Sequence, residues 1–82
     1  MVNAICEVTM EDRIELEDVV QAKGREAYVV DIELEYEIAT IIYEDGRLAY
    51  WKLPGLMPKD NFIKTGRKAP GVREDYLSRR IK

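Results

Sequence analysis

Residues 28–38 constrain the fold more than any other stretch of the chain. Tyr28, Val30, Ile32, Leu34, Tyr36 and Ile38 alternate with Val29, Asp31, Glu33, Glu35 and Glu37. Successive side chains of a strand point to opposite sides, so a period of two predicts a half-buried strand with an acidic outer face. Past Ile38 the apolar set moves to odd positions, with Ala39, Ile41 and Tyr43. A strand cannot exchange its faces without a bend, bulge or loop, which places a break near residues 35–37.

A hairpin signal follows at Asp45-Gly46, set between two apolar stretches. Asp-Gly favours a type I′ turn, in which both central residues take positive φ. The expected hairpin pairs residues 38–44 with 47–53. Glu44 then opposes Arg47, Tyr43 opposes Leu48, Ile42 opposes Ala49 and Thr40 opposes Trp51. As the one tryptophan of the chain, Trp51 is expected to anchor the core.

The flanks are less regular. Ile5 to Met10 reads as a short strand. Residues 12–24 admit two readings. In the first, Asp12 caps a helix, Glu15 completes a capping box, Leu16, Val19 and Val20 form a stripe, and Gly24 ends it. In the second, the chain turns at Glu17-Asp18 and a strand begins at Val19-Val20. Pro54-Gly55 marks a turn, and Leu53, Leu56 and Met57 beside it form either an exposed apolar knob or a lid over the core. Phe62 to Thr65 reads as a last short strand, and Gly66 to Gly71 as a flexible basic linker. Val72, Tyr76 and Leu77 share one side of a final helical turn or two.

With 82 residues, the chain allows one domain. The expected division is a β-barrel domain over 1–65 and a basic tail over 66–82. An apolar content of 46% supports a real core. Cys6 is the one cysteine, which leaves no internal disulfide framework; beside Ile5 and Val8 it reads as a small core side chain. The longest apolar runs are too short to span a bilayer, and the first residues lack the pattern of a signal peptide. These features suit a cytoplasmic protein. Histidine is absent, which removes the usual general base and the commonest transition-metal ligand, and Ser78 is the one serine. The sequence presents no catalytic, metal or cofactor motif, and an enzyme is not expected.

Charge is distributed unevenly. Residues 1–58 hold thirteen acidic and five basic side chains, a net of −8, while residues 59–82 hold eight basic and three acidic, a net of +5. Opposite fields at the two ends suit a charged partner or a second copy of the chain. The acidic row Asp31, Glu33, Glu35 and Glu37 is either a solvated strand face or a docking face for a basic partner. The basic arm, with Arg67, Lys68, Arg73, Arg79, Arg80 and Lys82, is either a solubilising terminus or a grip for phosphate or an acidic protein patch. Tyr36, Tyr50, Leu56 and Met57 are candidate aromatic and apolar contacts.

Several of these pieces together resemble small SH3-like barrels of phage and prophage proteins. They are Glu17-Asp18-Val19-Val20-Gln21-Ala22-Lys23-Gly24, Ala27-Tyr28-Val29-Val30, Tyr43-Glu44-Asp45-Gly46-Arg47 and Trp51-Lys52-Leu53-Pro54. The resemblance covers roughly residues 14 to 65 and rests on hydrophobic spacing and turn positions. It implies a mainly β fold, a five-strand partly open barrel, with a short C-terminal helical or irregular tail. The alternative from the residues alone is an α+β fold, with a helix at about 13–23 packed on an antiparallel sheet. It also implies a binding role, with Tyr28, Tyr36, Tyr43, Tyr50 and Trp51 available for an aromatic groove. The functional expectation is a non-enzymatic interaction module that binds a protein partner or itself and needs no cofactor or membrane. Nucleic-acid binding through the basic arm is the alternative.

Overall fold

Lys23-Gly24 forms a tight turn, with φ angles of 55° and 77° that are both left-handed. Ala22 pairs with Arg25 across it, so a two-residue loop joins the strand Asp18–Ala22 (β1) to Arg25–Glu33 (β2). This is the positive-φ geometry expected at Asp45-Gly46. A computed structural model describes residues 13–81, and the side chains of residues 13–79. The expected strand over residues 5–10 and the surroundings of Cys6 lie outside the described residues. The capped-helix reading of residues 12–24, and with it the α+β alternative, is overturned by β1 and its turn. Val19 and Val20 are both buried, which a strand between two neighbours accommodates.

Three further strands belong to the sheet among the described residues: Ile38–Tyr43 (β3), Leu48–Lys52 (β4) and Phe62–Lys68 (β5). A short 3₁₀ turn at Pro54–Leu56 separates β4 from β5, and a helix at Val72–Ile81 (α1) follows. β1 to β4 form an antiparallel meander, and β5 returns to pair with β1, giving the order β4-β3-β2-β1-β5 in one open antiparallel sheet. The protein is therefore mainly β with one short C-terminal helix. The boundary expected after residue 65 falls inside β5, and the stretch expected as a linker is strand through Lys68.

The break expected near residues 35–37 is the turn over 34–37, with Glu37 at φ 58°. The alternation before it is not continuous. Val29 pairs with Ile41 but Asp31 pairs with Thr40, so Val30 is an extra residue on β2. This bulge reverses the facing of the strand. Ala27 and Val29 face the main core before it, and Ile32 faces that core after it. Val29, expected on the acidic outer face, is fully buried instead. The opposite face of β2 and β3 presents Tyr28, Val30 and Ile42, covered by Val72, Tyr76 and Leu77 of α1. The helical stripe read from the sequence thus docks the C-terminal segment onto the sheet.

The 43–47 hairpin is present with a different turn. The Gly46 N–H donates to the Tyr43 carbonyl at 2.9 Å, and the Tyr43 N–H donates to the Arg47 carbonyl at 2.8 Å. Only Gly46, at φ 93°, is left-handed here. A three-residue loop of this kind shortens the register by one relative to a type I′ turn. Ile42 opposes Leu48, and Ala39 rather than Thr40 opposes Trp51. That single step keeps Trp51 on the face of Ala39, Ile41 and Tyr43, where its ring lies 5.1 Å from Phe62. Leu53 and Leu56 are buried at the 3₁₀ turn, and the Ile14 N–H donates to the Leu56 carbonyl at 2.7 Å.

Candidate functional site

Four of the C-terminal cations, Lys64, Arg67, Lys68 and Arg73, are paired with carboxylates of the same chain. Lys68 on β5 lies 2.8 Å from Asp18 and 2.9 Å from Glu15, and Lys64 lies 3.7 Å from Asp18. Arg67 reaches Glu26 at 3.3 Å, and Arg73 on α1 reaches Asp31 at 3.5 Å. All five contacts join the basic segment to the acidic segment of the same chain. Asp18 is only 2% exposed; it also accepts the Glu15 N–H at 2.8 Å, which fixes the turn entering β1. The ion pairs hold the Glu15 carboxyl below the usual carboxylate range, chiefly through the hydrogen bond from Lys68. Lys68 is raised in turn, chiefly by its hydrogen bond to Asp18. Arg79 is on the exposed side of α1, and the side chains of Arg80 and Lys82 lie outside the described residues.

The acidic row is likewise divided. Asp31 and Glu33 close β2, whereas Glu35 and Glu37 belong to the 34–37 turn. The β2 bulge directs Asp31 toward α1, where Arg73 meets it. Tyr36 is 59% exposed at the turn and Tyr50 is 68% exposed on β4. Leu56, expected as a surface contact, is 4% exposed and packs inside, because the 3₁₀ turn folds it under the chain; Met57 beside it is half-buried.

A different surface assembles from residues that are sparse in the sequence. Arg25 and Arg47 place their guanidinium carbons 5.4 and 5.6 Å from the Tyr43 ring centre. Lys23 and Lys59 place their ammonium groups 6.0 and 5.9 Å from the Trp51 ring centre. Each is within reach of a favourable cation–π contact. Lys23 is set there by the tight turn, whose N–H also donates to the Asn61 carbonyl at 2.8 Å. Lys59 is held by donating to the Lys52 carbonyl at 2.8 Å. Asp45 orders the arginines, at 2.9 Å from Arg47 and 3.5 Å from Arg25. Its carboxyl is held below the usual range, chiefly by the Arg47 backbone N–H.

Two shallow depressions of about 310 and 340 Å³ share Lys23, Tyr43 and Ala49; one extends to Trp51 and Lys52, the other to Arg25 and Arg47. Both lie at the low end of the volumes of small-molecule sites, and their cationic rims suit an anionic chain lying across them. Of the five aromatics expected to line one groove, Tyr43, Tyr50 and Trp51 do so. Tyr28 lies under α1, where its hydroxyl donates to Glu26 at 3.1 Å, and burial raises its pKa. Lys23, Arg25 and Arg47 were missed by sequence reasoning and Lys59 was read only as part of the basic tail, since the four lie in three separate turns. A usable signal was present in Tyr43 and Arg47, which flank one turn.

A larger apolar groove, about 480 Å³, runs between Ile14, Leu16, Ile32 and Leu34 and carries no such charge grouping. Among the described residues no cluster of acidic, cysteine or histidine side chains is placed to hold a metal ion, and no helix is long and apolar enough to cross a membrane. Compared with protein-family models, curated proteins and solved structures, the chain matches none.

Proposed function

We propose that this chain is a non-enzymatic interaction module of SH3-like architecture that binds an acidic segment of a protein partner. The observation that carries the reading is the packing of four cations on the rings of Tyr43 and Trp51 along one face. Contact with a neutral ring fixes Lys23 and Lys59 without cancelling their charge, and Arg25 and Arg47 share the single carboxylate of Asp45, so the face keeps a positive excess for a carboxylate. The architecture is supported by the four-strand meander, the 3₁₀ turn after β4 and the return of β5 to β1. Occupied ring faces favour carboxylate recognition over base stacking, which needs an open aromatic face. The pairing of Lys64, Arg67, Lys68 and Arg73 within the chain weighs against a nucleic-acid grip by the C-terminal segment.

Trp51 is the one tryptophan and reports on this face. Titration with a random Glu–Tyr copolymer, followed by Trp51 emission where tyrosine is not excited, is expected to saturate. The Lys23→Glu/Arg47→Glu double variant is expected to bind at least tenfold more weakly, a change of about 1.4 kcal/mol. Arg67→Gln, on the opposite side of the sheet order, should bind like the wild type. Tighter binding to a DNA duplex than to the copolymer, lost in the same double variant, would assign the face to nucleic acid and overturn the reading.

A further inference from the structure

Among the described residues β4 is an edge strand, and its register shows which of its backbone groups face outward. Tyr43 donates to the Arg47 carbonyl and Leu53 donates to the Glu37 carbonyl, both at 2.8 Å. In an antiparallel ladder, residues two apart share the same direction, so 47, 49, 51 and 53 turn toward β3. Leu48, Tyr50 and Lys52 therefore turn their N–H and C=O groups away from the sheet. The Lys52 carbonyl accepts the Lys59 ammonium, while the backbone groups of Leu48 and Tyr50 have no partner among the described residues. The strand contains no proline, and Leu48 and Tyr50 are exposed on its outer side. Such an edge is a template for another strand.

Charge selects the occupant. A second copy pairing β4 with β4 in antiparallel fashion would bring Arg47 and Lys52 of both chains onto one short ladder, which like-charge repulsion opposes. The depressions beside Ala49 and Trp51 are rimmed by Lys23, Arg25, Arg47 and Lys52. We propose that β4 accepts an extended acidic segment of a partner protein as a sixth strand. The added strand exchanges backbone hydrogen bonds with Leu48 and Tyr50. Its alternate side chains are carboxylates directed to the cation-rimmed face, and those between are apolar groups that pack beside Leu48 and Tyr50. The inference rests on the proposed binding face and adds the mode of binding and the pattern of the ligand.

The test uses the full chain and the peptide acetyl-Glu-Val-Glu-Tyr-Glu-Val-Glu-amide. Proline at position 50 removes an outward N–H that the fold does not use, and edge positions tolerate it. Tyr50→Pro is expected to bind the peptide at least tenfold more weakly than Tyr50→Ala, with the two variants melting within a few degrees of each other. A second measurement does not depend on the variant folding. N-methylation of one alternate set of peptide residues should abolish binding to the wild-type protein, and methylation of the other set should not. Equal binding of both methylated peptides, or of Tyr50→Pro and Tyr50→Ala, overturns strand addition. If Lys23→Glu/Arg47→Glu still abolishes binding in that case, the face itself stands. Absence of peptide and copolymer binding to the wild type overturns both. A concentration-dependent dimer that Tyr50→Pro abolishes would assign the edge to a second copy and also overturn the proposal.

Discussion

The cations of the β1–β5 seam and those around Tyr43 and Trp51 carry the same charge and differ in what they touch. In the seam, Lys68 and Lys64 converge on the buried Asp18, and Arg67 meets Glu26. Each positive charge has a carboxylate, and the result is a staple between the two ends of the chain. Around the rings, Lys23, Arg25, Arg47 and Lys59 have Asp45 as the one carboxylate in ion-pair contact with any of them among the described residues. Part of the basic segment is thus tied to the acidic segment of the same chain. The cations presented outward come largely from the segment whose net charge is −8. Linear charge counts predict the surface field only where the two segments do not meet.

The seam is expected to break most severely at Asp18. Asp18→Ala leaves Lys64 and Lys68 without their shared carboxylate and the Glu15 N–H without its acceptor. Asp18 is buried but Lys68 is half exposed, so the cost lies below that of breaking a fully buried pair, at about 2–3 kcal/mol. Urea denaturation should show that loss, while copolymer binding under folding conditions stays unchanged. A smaller effect is expected at the hinge of the binding face. Gly46 is at φ 93° with open space around it, so Gly46→Val is opposed by backbone conformation and not by crowding. Strain of this kind costs about 2 kcal/mol, read as a lower melting temperature.

Lys23 separates the two regions more sharply. It is a non-glycine residue in a left-handed conformation, φ 55°, so Lys23→Gly relieves about 1 kcal/mol of strain while removing a cation from Trp51. The variant should melt no lower than the wild type and bind the copolymer more weakly. The smallest effect concerns Glu15. Its folded-state pKa is lowered, so its contribution is present above the ordinary carboxylate range and is lost as pH falls through the lowered value. The difference in melting temperature between wild type and Glu15→Gln should therefore be larger at pH 7 than at pH 3.

Much of the sheet was legible in the sequence because strands announce themselves by alternation and turns by Gly and Asp. The break after Glu33, the β3–β4 hairpin, the strand at Phe62 and the Val72–Tyr76–Leu77 stripe all follow from local pattern. The β2 bulge did not, since Val30 is one branched apolar residue among several and nothing local distinguishes it as the extra one. The turn at Asp45-Gly46 was placed correctly and given the wrong geometry, because Asp-Gly also serves a three-residue loop with glycine alone left-handed. The left-handed pair at Lys23-Gly24 was hidden by a lysine that turn statistics do not favour. The binding face was the least legible part. Lys23 and Arg25 come from one turn, Arg47 from a second and Lys59 from a third, and only the register brings them to Tyr43 and Trp51.

The central claim is that the cations available to a partner are those around Tyr43 and Trp51, and that Lys64, Arg67, Lys68 and Arg73 are engaged by carboxylates of the same chain. Amide and side-chain NMR spectra of the full chain, recorded during titration with the Glu–Tyr copolymer, locate the contact residue by residue. Shifts concentrated at Lys23, Arg25, Arg47, Ala49, Trp51 and Lys59 are the expected result. Shifts confined to residues 64–79, with the Trp51 indole unmoved, would contradict the account.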